Sequence, residues 1–178
     1  MIEPSAVGSG TRAVPSADDM AALGQRLAGD LRAGDLILLS GDLGAGKTTL
    51  TRGIGRGLGV RGAVTSPTFV IARVHPAPPG RPALVHVDAY RLSSLAEVDD
   101  LDLDAAQEDS VTVVEWGRGL AEDLAADRLE IDITRKRGLG PAGAANDGAV
   151  DEGRTVRWQA FGPRWAGFGL DGPAGRSA

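Results

Sequence analysis

The run Gly41-Asp42-Leu43-Gly44-Ala45-Gly46-Lys47-Thr48 places a lysine and a hydroxyl directly after a glycine-rich turn. It fits the G-x-x-x-x-G-K-[ST] pattern, whose chemistry is polyphosphate binding. A polyphosphate carries several negative charges and is held by converging backbone N–H groups. Glycine supplies the positive φ values and the close approach that such a nest requires. Lys47 can reach the β- and γ-phosphates, and the Thr48 hydroxyl can bind Mg²⁺, a hard cation that prefers oxygen. At this chain's glycine and lysine content the pattern is expected by chance only about 0.004 times. The plainer alternative is a glycine-rich turn from strand to helix with a solvated lysine. The chain has only two lysines, Lys47 and Lys136, among its 19 basic residues, so each one invites a question.

Two carboxylates could complete that chemistry. Asp88 closes the apolar run Ala83-Leu-Val-His-Val-Asp88, and Glu115 closes Val111-Thr-Val-Val-Glu115. In open α/β sheets ligands gather at the carboxyl ends of the strands. One acid could hold the metal, directly or through water, while the other orients the attacking water or senses the γ-phosphate. Each could also simply cap the turn that follows. The residues alone leave open which is the metal partner.

The elements that must position these groups can be read from the pattern. Ser16 is a helix N-cap ahead of Asp18 and Asp19, and Met20, Leu23, Leu27 and Leu31 follow at helical spacing up to Gly34. Residues 35–40 read as a short buried strand entering the glycine turn. The helix after it carries Leu50, Ile54 and Leu58 on one face. Its glycines at 53, 55 and 57 each cost about 1 kcal/mol against alanine, so only tertiary packing or a bound ligand would hold it well. Further strands are expected at 11–14, 64–74 (interrupted by Pro67), 83–88, 111–115, 129–133 and 156–160, the last as an edge strand beside 129–133. Residues 93–109 read as an acidic helix, and Leu120 and Leu124 suggest a short one. Strands alternate with helices, which predicts an α/β fold: a three-layer sandwich of the P-loop NTPase kind, with a largely parallel central sheet and an antiparallel C-terminal edge. One domain is expected over 11–161, with a flexible N-terminus at 1–10, a mobile Gly/Ala-rich loop at 138–153 and a flexible tail at 162–178.

Composition narrows the class. The 178 residues contain no cysteine, which excludes disulfides, thiolate nucleophiles and Cys-based zinc sites. The two histidines, His75 and His86, exclude a His-rich metal site. His86 lies within a strand, where it packs or hydrogen-bonds locally, and is not assigned as a base. A net charge of −5 argues against a duplex grip built on gross positive charge. No apolar stretch is long enough to span a membrane, and the first residues lack a secretory pattern, so a cytoplasmic protein is expected. The acids Glu97, Asp99, Asp100, Asp102, Asp104, Glu108 and Asp109 read as a solvated face, with docking of a basic partner as the sharper alternative. Trp158 and Trp165 read as packing residues.

Taken together, four segments carry a resemblance: Gly41–Thr49, Ser66-Pro-Thr-Phe69, His86-Val-Asp-Ala-Tyr-Arg-Leu92 and Val114-Glu-Trp116. In order and spacing they resemble the TsaE family, small P-loop ATPases of bacterial tRNA threonylcarbamoyladenosine biosynthesis. The resemblance covers residues 11–135 and extends more loosely to 161. It implies that Lys47 and the backbone of Gly44, Ala45 and Gly46 bind phosphates, with Gly41 opening the loop and Thr49 completing the cradle. It implies Mg²⁺ on Thr48 and Glu115, Glu115 being in the Walker B place. It implies that Asp88 serves hydrolysis from a switch-like segment near the γ-phosphate, and that Trp116 lies beside the nucleotide. Ser66–Phe69 would form a loop nearby. Ala89 and the Gly117-Arg118 pair depart from the family's usual residues, on the nucleobase side.

The implied cofactors are ATP and Mg²⁺. The implied partners are the two transferase-fold subunits that modify the tRNA, which the protein would reset between turnovers by hydrolysing ATP; contact with tRNA would be indirect. Arg91 and Arg118 are candidate charges toward the phosphates, with surface ion pairing as the equal alternative. A small-molecule or nucleotide kinase and a barely hydrolysing nucleotide switch are the competing functions. The absence of an Asn/Thr-Lys-x-Asp motif favours ATP over GTP.

Overall fold

The computed structural model describes residues 5–67, 72–91, 108–119, 121–135 and 153–170. A seven-stranded mixed sheet forms its centre. The strands are β1 (Ala6–Val14), β2 (Leu36–Ser40), β3 (Ala72–His75), β4 (Ala83–Asp88), β5 (Ser110–Glu115), β6 (Arg128–Arg135) and β7 (Arg154–Phe161). The spatial order is β1-β7-β6-β2-β5-β4-β3. The four central strands β6, β2, β5 and β4 run parallel. The outer pairings β1–β7, β6–β7 and β3–β4 are antiparallel. β2, β4 and β5 are short and mostly apolar, as strands covered on both faces must be, whereas β6 alternates polar and apolar residues.

Alternation along β2 divides the core. Ile37 and Leu39 face one side with Leu84, Val111, Val113, Leu129 and Ile131. Leu36 and Leu38 face the other with Val85, Val87, Val114 and Ala121. Helices α1 (Ala17–Leu27) and α2 (Lys47–Leu58) cover the first face. Met20, Leu23, Leu50 and Ile54 are each 1% exposed or less, and burying each contributes about 1.5–3 kcal/mol. Ser16 caps α1 as expected, its Oγ accepting from the Asp19 N–H at 3.1 Å. The second face is covered among the described residues by the stretch around Ala121–Ala125, with a short 3-10 turn at Glu122–Leu124. The acidic helix expected at 93–109 falls mostly on residues 92–107, outside the described residues, as does nearly all of the loop expected at 138–153.

The glycines of α2 have a packing role. A Cβ on Gly53 would collide with the Ala21 carbonyl oxygen, one on Gly24 with the Leu50 carbonyl, and one on Gly57 with the Ala28 Cβ. The two helices approach so closely that hydrogen is the only side chain that fits between them. Tertiary contact thus holds a helix that is weak by propensity.

Three boundaries differ from expectation. The first strand begins at Ala6 rather than Thr11, because residues 6–14 pair along β7, and β1, not β7, is the outer strand on that side. The strand expected over 64–74 appears as Ala72–His75 alone, with 64–67 irregular around Pro67. Residues 163–170, expected in the flexible tail, are anchored: Trp165 is 1% exposed, and Arg164 forms a two-pronged bond to the buried Asp35 at 2.8 and 2.7 Å. Trp158 and Trp165 both pack, each edge-on to Phe168.

Candidate functional site

The glycine turn leaves β2 at Ser40 and enters α2 at Lys47. Gly41, Gly44 and Gly46 have φ of 138°, 78° and 116°, all in the region that favours glycine. At Gly41 a side chain would also strike the Ile133 carbonyl oxygen. The turn therefore presents backbone amides at a helix N-terminus, where the helix dipole also favours an anion. Ala45 is buried beneath it.

Lys47 is 5% exposed. Its Nζ donates to the carbonyls of Gly41 at 2.6 Å and Asp42 at 3.0 Å and lies 3.9 Å from the centre of the Trp116 ring. Burial pushes its pKa below the usual lysine value, while Glu115, Asp88 and Asp42 pull it back up. The opposing carboxylates favour the charged form there.

Thr48 and Glu115 meet although 67 residues separate them. The Thr48 hydroxyl lies 3.0 and 3.3 Å from the two carboxylate oxygens of Glu115. Glu115 is 3% exposed and also receives His86 Nε2 at 2.8 Å. Asp88 and Glu115 stand directly in register at the tips of β4 and β5. Asp88 has different partners: it accepts from the Tyr90 N–H at 3.1 Å, and Ser66 Oγ lies 3.5 Å away. Thr49 sits half-buried in the first turn of α2.

Trp116 is the only non-glycine among the described residues with positive φ, at 64°. That conformation costs roughly 1–3 kcal/mol. It turns the chain just past Glu115, with the indole over Lys47 and 5.2 Å from the Tyr90 ring. An open cleft of about 380 Å³ lies beside the turn, between Gly41, Asp42, Trp116, Arg118 and Asp132.

The structure thus brings Gly41, Gly46, Lys47, Thr48, Glu115 and Trp116 together, with Asp88 at the neighbouring strand tip. Arg118 makes an exposed ion pair to Asp132 at 3.4 Å, the surface-pairing alternative, worth about 1 kcal/mol or less. Thr68 and Phe69 lie outside the described residues, as does the Arg91 side chain.

Two contacts escaped the sequence reading. Arg154 at the start of β7 donates its Nε to the Ala45 carbonyl at 3.1 Å, and no spacing links residues so far apart. His86 contacts Glu115, and here a signal existed: His86 and Asp88 are two apart on one strand and so share a face.

The donor set suits a Mg²⁺-nucleotide. No group of three or more His, Asp or Glu among the described residues is arranged to cage a metal. One hydroxyl and one carboxylate are what Mg²⁺ uses when phosphates and water complete its shell.

Comparison with known proteins agrees with this geometry. The family model described as threonylcarbamoyl adenosine biosynthesis protein TsaE matches residues 14–139. The chain is 62% identical over 148 residues to a Streptomyces coelicolor protein named tRNA threonylcarbamoyladenosine biosynthesis protein TsaE, covering 83% of this chain and 94% of that one. It is 36% identical to a Bacillus subtilis protein of the same name, covering 83% and 84%. The crystal structure of Bacillus subtilis YdiB is similar with a TM-score of 0.66 at 29% identity, covering 89% of each chain. With its glycine turn, its paired strand-tip acids and a match over most of its length, the chain belongs to the TsaE family of threonylcarbamoyl adenosine biosynthesis proteins.

Proposed function

We propose that the protein is the Mg²⁺-dependent ATP-binding and ATP-hydrolysing subunit for threonylcarbamoyladenosine formation on tRNAs that read codons beginning with A. The observation that carries this reading is the 3.0 Å contact between Thr48 and Glu115 at the mouth of the glycine turn. It joins the hydroxyl of the phosphate-binding motif to a strand-tip carboxylate, the pairing that Mg²⁺-nucleotide chemistry uses.

In this reading the turn amides and Lys47 hold the phosphates, and Lys47 exchanges its two carbonyl partners for phosphate oxygens. Thr48 and Glu115 hold Mg²⁺, which offsets charge on the phosphates. Asp88 orients the attacking water from the adjacent strand tip. Trp116 lies over the Lys47 ammonium on the cleft side and limits access of water to it. Arg118 lines the cleft beside the turn but is paired with Asp132, and Arg154 is bonded to the Ala45 carbonyl, so turnover by the isolated protein is slow and the partner accelerates it.

The partner is the complex of the two transferase-fold subunits, which the protein resets between turnovers; tRNA contact is indirect. A positive face is available for that docking. From Leu43 to Val87 the chain carries five arginines and no carboxylate, and its one lysine, Lys47, is buried at the glycine turn. Arg52, Arg56 and Arg61 are exposed there and form no ion pair among the described residues.

Phosphate release from ATP, measured for the protein alone and with the transferase pair with and without tRNA, tests the proposal. The expected result is slow Mg²⁺-dependent release that the pair raises at least tenfold (about 1.4 kcal/mol in the barrier). Transfer of the phosphoryl group to a small-molecule acceptor would establish a kinase instead. Turnover that stays negligible with the pair would establish a switch.

A further inference from the structure

We infer that His86 is the positioning residue of Glu115: its Nε2–H holds one oxygen of the carboxylate from below, so that the glutamate keeps its place when Thr48 turns to a cation. The inference rests on the proposed Mg²⁺-nucleotide reading of this site.

Glu115 is almost fully buried, and a buried carboxylate is costly unless donors satisfy it. The described structure offers it two. The Thr48 hydroxyl is one, but a hydroxyl has a single proton, and turning its oxygen toward a cation can take that proton away from Glu115. His86 Nε2, 2.8 Å from Oε1, is the other.

His86 lies on β4 opposite Val113, one alternation below the tip where Asp88 faces Glu115. Leu84 on the same strand, and Val111 and Val113 on β5, belong to the core beneath α2, so the ring reaches Glu115 diagonally across that face. It is wholly buried, and core on that face fixes its orientation.

The chemistry assigns the tautomer. An ionised carboxylate only accepts, so Nε2 must carry a proton. Nδ1 is wholly buried and has no hydrogen-bond partner among the described residues. A buried, unpaired polar nitrogen costs about 1–3 kcal/mol, whether it donates or accepts. A leucine at this position would avoid that cost, so a space-filling role alone gives no reason for an imidazole. The bond to Glu115 does. Groups that orient a metal-binding carboxylate in this way commonly shift metal affinity about 10–100-fold.

The test has two arms. The chain has only two histidines, so ¹⁵N imidazole spectra of the nucleotide-free protein are simple, and His75→Gln assigns them. The expected spectrum shows a proton on His86 Nε2 whose resonance moves in Glu115→Gln. A bare Nε2, or a resonance that Glu115→Gln leaves in place, overturns the inference. This arm reads the tether whether or not nucleotide binds, so its failure is distinct from failure of the ATPase reading.

In the second arm, ATP affinity is measured with Mg²⁺ and with EDTA. His86→Leu is expected to lower the Mg²⁺-dependent gain about tenfold and leave the EDTA affinity unchanged. His86→Gln, whose amide nitrogen can occupy the Nε2 position, is expected to restore the gain to within about threefold, and Glu115→Gln to abolish the difference between the two variants. Equal losses in His86→Leu and His86→Gln, or losses of the same size in EDTA, contradict the inference.

Discussion

Asp88 and Glu115 occupy equivalent places on adjacent strands but have different partners, and that difference separates their roles. Glu115 is buried against Thr48 and His86, whereas Asp88 is half-buried and bonded to its own turn and near Ser66. Glu115→Gln should therefore lower the Mg²⁺-dependent gain in ATP affinity by about tenfold or more. Asp88→Asn should leave affinity within about threefold, under 1 kcal/mol, while removing turnover. Titrations with and without EDTA, beside phosphate release, check both; equal loss of Mg²⁺ dependence in the two variants would contradict the assignment. His75 carries a separate prediction. Burial first, then the neighbouring His86 and Arg73, hold its pKa below 6.5. As pH falls through 6.5 the unfolded chain binds a proton that the folded chain does not, so stability drops. The slope is up to about 1.4 kcal/mol per pH unit until the lowered folded value is reached. Urea unfolding at about pH 7.5 and about pH 5.5 should show a drop that His75→Leu diminishes.

Among the elements, the α1–α2 contact decides more than helix propensity does. Alanine at Gly53 gains about 1 kcal/mol of propensity, but its Cβ meets the Ala21 carbonyl, and overpacking of this kind costs about 1–3 kcal/mol. Gly53→Ala should lower the melting temperature, and Gly62→Ala, at an exposed turn with open space, should lower it less. A stabilised Gly53→Ala would contradict the close approach. The site's elements were legible where residues specified local geometry. The glycine turn needs positive φ, the apolar runs at 83–88 and 111–115 are the length of buried strands, and Ser16 is a cap. Elements held by distant partners were not. Residues 6–10 are rich in small residues with weak strand preference and pair only because β7 lies beside them, with Trp158 against Gly8 and Gly10. Arg164 and Trp165 are likewise anchored by Asp35 and the core, which no local pattern announces.

For the molecule as a whole, strand order makes the site. β2 lies between β5 and β6, and β4 lies beside β5, so the glycine turn and both acids emerge at one end of the parallel strands. The resemblance in four short segments suggested that convergence, but the strand order came only from the structure. The fold leaves no helix among the described residues long and apolar enough to cross a membrane. The most direct measurement is a calorimetric titration of ATP, with and without Mg²⁺, into wild type and Lys47→Ala. Wild type should bind one ATP per chain, more tightly with Mg²⁺. Lys47→Ala should bind roughly 10–100-fold more weakly, the value of one charge-assisted bond. Equal affinity in the two proteins would contradict the assignment of the glycine turn as the phosphate site.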